Sequence, residues 1–174
     1  MEAALKFGPV VVSGLCLLFT IIGCAIEQID VSDGAMKVYL VKTEAFGMEV
    51  SVSDYACSEW KTAWQGAAAF AVLSVLISFV LLVLAVLGLA GKFSKKILNV
   101  IVWVVLILTS LIAWAIIAHN FHGTFCGASY SDLPDAKLAG GIALFILTTL
   151  FAVIGAILAF KKEEGGESVS YQSV

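Results

Sequence analysis

The sequence contains no arginine, only two prolines and two histidines, and four long stretches without a single Asp, Glu, Lys or His. Each scarcity excludes something. With lysine as its one strongly basic residue type and no basic tract, the chain has no footprint for nucleic acid. Catalysis by a triad or a metal hydrolase needs a nucleophile, a base and an orienting group. The only histidines, His119 and His122, come with no such constellation, so we read the chain as non-enzymatic, with no cofactor and no evident small-molecule substrate. The long stretches carry no ionisable side chain other than Cys, which argues against an ion path, a proton relay or a voltage sensor. Beyond Pro9, none of them contains proline, so no broken transporter-type helix is expected.

What is abundant is apolar: 61% of the 174 residues are hydrophobic and 13% charged, where a soluble domain is about one quarter charged. A fold of this size cannot hide so much apolar surface from water, so its solvent is lipid. The uncharged stretches cover residues 7–26, 62–91, 97–118 and 138–160. A helix of roughly twenty residues crosses a hydrocarbon core of about 30 Å, and all four are long enough. The expected fold is an all-α membrane protein, a four-transmembrane-helix bundle with a small extracellular β-hairpin or sheet module in its first outer loop. Its parts are spans of about 7–26, 64–91, 97–118 and 138–160, outer loops 27–63 and 119–137, and a tail 161–174, in one domain over 1–174. The second span exceeds what is needed and should tilt or project. The first, with Lys6 before an apolar core and Ile21-Ile22-Gly23-Cys24 near its end, imitates a cleaved leader, but we read it as a retained signal-anchor.

Lys6, Lys92, Lys95, Lys96, Lys161 and Lys162 fall on the side of the termini and close to span ends. The positive-inside rule makes that side, with both termini, cytoplasmic in a multi-pass membrane protein. The opposite loops are acidic: Glu27, Asp30, Asp33, Glu44, Glu49, Asp54, Glu59, Asp132 and Asp135 outnumber Lys37, Lys42, Lys61 and Lys137.

Cys16 and Cys24 lie in the first span and read as small packing residues. Cys57 and Cys126 lie one in each outer loop, a few residues from a span end. An oxidising outer compartment would pair them; two free thiols are the alternative, because the Cα geometry is not in the sequence.

In the first outer loop, Lys37-Val38-Tyr39-Leu40-Val41-Lys42-Thr43 is rich in β-branched and aromatic residues, and Met48-Glu49-Val50-Ser51-Val52-Ser53 alternates strictly. With Glu44-Ala45-Phe46-Gly47 between them, they predict a β-hairpin, preceded by a turn at Asp30-Val31-Ser32-Asp33-Gly34. An isolated hairpin is marginal in water, so it should gain a further strand or rest on the bundle. Tyr39, Phe46, Trp60 and Trp64 are candidates for partner contact or for anchoring at the membrane interface. His119 and His122 are a weak metal candidate, three apart on a helical face but without a clear third ligand. The terminal Tyr171-Gln172-Ser173-Val174 fits a Tyr-x-x-Φ sorting signal, with Tyr171 and Val174 as its fixed positions; a plain polar tail is the alternative. Within the spans, Ser13, Thr20, Ser74, Ser78, Thr109, Ser110, Thr148 and Thr149, with small residues such as Gly140, Gly141 and Gly155, suit close helix packing.

A short inner N-terminus, a long first outer loop with strands, a Cys and Trp near its end, and a short second outer loop resemble the claudin-like tetraspan layout. Within it the chain resembles the amastins, surface glycoproteins of kinetoplastid parasites. The motifs are Cys57-Ser58-Glu59-Trp60; Gly66-Ala67-Ala68-Ala69-Phe70-Ala71-Val72-Leu73-Ser74; Trp114 followed by Phe121 and Cys126-Gly127; and Ala139-Gly140-Gly141-Ile142-Ala143-Leu144. Both families usually carry two cysteines in the first loop, where this chain has one, and the claudin Trp-Gly-Leu-Trp string is absent. The claudin disulfide and paracellular sealing therefore do not transfer. The resemblance implies a plasma-membrane surface protein acting through contacts, with lipid, host or neighbouring membrane proteins, or copies of itself, as candidate partners. An accessory subunit of a larger channel, transporter or receptor is the alternative, and a small pore or carrier a more distant one.

Overall fold

The computed structural model describes residues 2–32, 34–91 and 96–167. The elements in chain order are α1 (Glu2–Ala25), β1 (Ile29–Val31), β2 (Met36–Val38), β3 (Lys42–Ala45), β4 (Met48–Ser51), α2 (Ser58–Leu89), α3 (Lys96–His122), β5 (Lys137–Leu138) and α4 (Gly140–Glu167), with short 3-10 turns at Val52–Asp54 and Tyr130–Asp132. All four helices are long and apolar enough to cross a membrane. They pack in a ring, α1 on α2, α2 on α3, α3 on α4 and α4 on α1.

Hydrophobicity alone cannot hold such a bundle, because lipid tails are as apolar as leucine; close approach and interhelical hydrogen bonds do. The buried positions of α2 are Trp64, Ala67, Ala71, Ser74, Ser78 and Leu81, a seam at alternating spacings of three and four. Large residues such as Val72, Leu76, Phe79 and Val83 point outward. Between α3 and α4, the Ser110 and Thr149 hydroxyls hydrogen-bond at 2.9 Å. Gly155 is there because Trp103 fills the place of its side chain: a Cβ would overlap the indole. The Ser and Thr hydroxyls of the spans otherwise donate mainly to carbonyls one turn back, as Thr20 does to Cys16 O (2.9 Å) and Ser74 to Phe70 O (2.9 Å).

The helix ends differ from the sequence expectation. α2 starts at Ser58, and at 32 residues it is about 48 Å long, well beyond the hydrocarbon thickness. α3 runs to His122 rather than stopping at residue 118.

The outer module corrects the expected hairpin in two places. Residues 37–43 are not one strand: β2 ends at Val38 and β3 begins at Lys42, with Tyr39 N–H donating to Lys42 O (2.8 Å) across the bend. Asp30 and Val31 belong to β1, and the turn follows them. The hairpin does gain strands and does rest on the bundle. The sheet is antiparallel throughout, in the order β4-β3-β2-β1-β5, so the second outer loop supplies its last strand. Ile29, Val31 and Val38 from one face of the sheet join Trp64, Ala67, Ala113, Ile117, Phe121, Ile142 and Phe145 of the helices in a single core cluster. Tyr171 and Val174 lie outside the described residues, as do Asp33, Lys92 and Lys95.

Candidate functional site

The outer module is where chemistry other than packing collects. Its root is a joint between α1, the sheet and α4. Gln28 leaves α1 fully buried, and its amide donates to Gly23 O (2.6 Å) and Ile26 O (3.0 Å). Its backbone N–H donates to Val38 O (2.7 Å), and its carbonyl accepts from Ala139 N–H (2.8 Å). A Cβ on Gly141 would overlap the Gln28 side chain, which explains that glycine, while one on Gly140 would crowd Ile26 at 3.2 Å.

The two outer loops, already joined through β1 and β5, are tied again beside the sheet. Cys57 and Cys126 form a disulfide, with Cα atoms 6.3 Å apart and a sequence separation of 69. Beside it, Thr43 and Tyr55 share a hydrogen bond, and Tyr55 shares another with Tyr130. Trp60 stacks on Tyr130 with ring centroids 4.9 Å apart, and Trp64 meets the same ring edge-on at 6.4 Å. The Trp64 N–H approaches the Tyr130 hydroxyl without completing a full hydrogen bond. Burial pushes both tyrosines above their ordinary pKa, Tyr130 the further, so both remain neutral donors at physiological pH.

The far rim is open. β3 and β4 are joined by Phe46 and Gly47, both at positive φ (51° and 79°), a two-residue turn whose twist suits the strands. Such a turn favours Asn or Gly first; a phenylalanine there is strained. Phe46 is nevertheless 84% exposed, and the same hairpin exposes Met48 (68%) and Val50 (44%). The opposite face of the hairpin is ionic. Lys42 Nζ lies 2.6 Å from Glu44 and 3.1 Å from Glu49, and 5.3 Å from the Tyr39 ring centroid. The hydrogen bond to Glu44 raises the Lys42 pKa, and the same contact lowers that of Glu44. Burial first, then the carboxylates of Glu44 and Glu27, raises that of Tyr39.

The residues singled out from the sequence therefore occupy three places. Trp64 is fully buried in the joint, and Trp60 half-buried on its margin. Tyr39 lies half-buried at the ionic clasp, and Phe46 at the rim. His119 and His122 are exposed in the last turn of α3, against Phe125 and Phe121 respectively. Among the described residues they join no group of metal-ligating side chains. The one such group, Cys57, Glu59 and Cys126, has its two sulfurs in the disulfide, where they are not thiolates. Gln28 and the fully buried Asn120 carry no motif that would single them out; for Gln28 the Gly140-Gly141 pair is the one visible sign.

The family model described as Amastin surface glycoprotein matches residues 15–159, from the middle of α1 to the last membrane turns of α4. A comparison with curated proteins finds no match.

Proposed function

Because the chain belongs to the amastin family of surface glycoproteins, we propose that it works as a non-enzymatic contact protein of the plasma membrane, with both termini cytoplasmic and its activity in the outer module. The observation that carries this reading is the rim of the β3–β4 hairpin. Contiguous exposed apolar side chains rimmed by polar ones mark interaction sites, and Phe46, Met48 and Val50 form such a row beside Glu44 and Glu49. The strain at Phe46 supports it as well, since a bulky side chain held at positive φ in full exposure does nothing for the fold. Trp64 serves the joint and not a partner; Phe46 is the aromatic on offer, with Trp60 and Tyr39 at the margins. Lipid is the second partner, along the outward faces of the spans.

The test is the double variant Phe46→Asn with Met48→Gln in the full-length chain. Asn adopts the left-handed conformation readily, so the turn should be stabilised by about 1 kcal/mol and insertion preserved. Cross-linking and co-purification from native membranes should lose most of the association with neighbouring proteins or copies. Association that survives unchanged would put the contacts on the helices and favour an accessory subunit with a lipid-embedded interface.

A further inference from the structure

Resting on the reading that the outer module works by contact, we propose that the free edge of β4 takes a second copy of this chain, the two β4 strands pairing antiparallel over residues 48–52 with Val50 on the two-fold axis. β4 is the terminal strand of its sheet, bonded to β3 on one side only. Its backbone phase is fixed. The Phe46–Gly47 turn makes Ala45 and Met48 the closing pair, and Val52 N–H donates to Val41 O at 3.0 Å. Bonding alternates along an antiparallel ladder, so the N–H and C=O groups of Glu49 and Ser51 point away from β3 toward the open edge.

An identical strand running the other way offers the same groups, and donors meet acceptors only when outward residues stand opposite outward residues. Three registers satisfy that rule. Setting Glu49 opposite the second copy's Glu49 places two carboxylates directly across from one another, which destabilises a sheet. Setting Ser51 opposite its own equivalent requires Ser53, which belongs to the 3-10 turn. The remaining register puts Glu49 opposite Ser51, Val50 beside Val50 and Met48 beside Val52. It forms four backbone hydrogen bonds with no like charges opposed. Paired residues share a face, so Met48 and Val50 lie on the face that elsewhere carries Val38, Val31 and Ile29 into the core. The pairing continues that apolar face across the junction, with both bundles on the same side of the joined sheet.

Soluble β proteins guard their edges with proline, bulges or inward-pointing charges. β4, four residues long and with its one charge, Glu49, on the other face, has none of these three: its residues on the core face are Met48 and Val50.

The experiment uses the full-length chain in intact cells, mildly oxidised and run on non-reducing gels, with the wild type and its free Cys16 and Cys24 as background. Val50→Cys should give at least several times more covalent dimer than wild type or Glu49→Cys, because non-bonded antiparallel pairs bring Cα atoms within about 4.5 Å. Glu49→Cys co-expressed with Ser51→Cys should form the mixed dimer. Adding Ser51→Pro to Val50→Cys should return the dimer to background. The Ser51 φ of −69° already fits proline, so the change blocks an edge donor with little strain. Val50→Cys at background, or Glu49→Cys exceeding it, overturns the proposal. If Val50→Cys stays at background while the Phe46→Asn/Met48→Gln pair still abolishes association with other proteins, self-pairing is wrong and the contact reading stands.

Discussion

The helix bundle and the rim of the outer sheet use the same residue types in opposite ways. In the bundle, small and polar residues line the inner seams with a few large side chains such as Trp103, Phe145 and Leu81 seated among them, and the outward positions are large and apolar, because in lipid close approach separates inside from outside and hydrophobicity does not. Gly155 seats Trp103 and Ser110 meets Thr149, so each inward position is filled by a neighbouring helix. At the rim the surroundings are water, where an exposed phenylalanine or methionine is a cost without return inside the monomer. On the proposed contact reading, the bundle is complete within the chain and the rim is completed by a partner. The joint around Gln28, the disulfide and Tyr130 separates the two regions and binds one to the other.

The strongest way to break that contrast is to remove the tie. Replacing both Cys57 and Cys126 by Ser should destabilise the outer module by about 2–4 kcal/mol, less if the inserted spans already restrain the loop. Limited proteolysis of intact cells should then speed up at Lys37 and Lys42 while the detergent-solubilised bundle keeps its melting temperature. A bundle that melts together with the module would show that the two regions are one cooperative unit. From the other side, Gly155→Ala forces a methyl against Trp103 and should cost the bundle about 1–3 kcal/mol, read as a lower melting temperature in detergent with the rate of outer-loop cleavage unchanged. The smallest effect sharpens the rim. Glu44 has a lowered pKa, so its contribution is present above the ordinary carboxylate value and is lost as pH falls through the lowered one. Lys42, with a raised pKa, contributes below its ordinary value and loses that contribution as pH rises through the raised one. The protection factors of the β3–β4 amides, exchange corrected for its intrinsic pH dependence, should therefore be highest at neutral pH and fall by no more than a few-fold at either extreme, with those of the bundle amides unmoved, because the pair is solvent-screened.

The spans were legible because lipid imposes a length and forbids charge over it, and two helices run further than the expected spans, from Ser58 and on to His122. The pairing of Cys57 with Cys126 was legible from compartment and position, and the structure closes the free-thiol alternative. The hairpin was only half legible. Tyr39-Leu40-Val41 reads as strand because it is β-branched and aromatic, yet it forms the bend, with Leu40 buried for tertiary reasons that no turn residue announces. Strands of three residues, and of two in β5, are too short to show alternation. Gln28 was invisible because its role depends on Gly23, Val38 and Ala139 meeting at one place, which no local pattern encodes.

The disulfide also imposes an order on biosynthesis. Cys57 is translated 69 residues before Cys126, and α2 and α3 lie between them. After the first outer loop reaches the oxidising side, its cysteine must wait as a thiol while two further helices enter the bilayer and the second loop is delivered to the same side. A chain that stalls after α2, or inserts α3 the wrong way round, never meets the condition and keeps a reactive thiol on display. The bond thus dates the insertion of the central helix pair, and pulse-labelled chains trapped with a thiol reagent should carry the label on Cys57 until, and only until, that pair is in place.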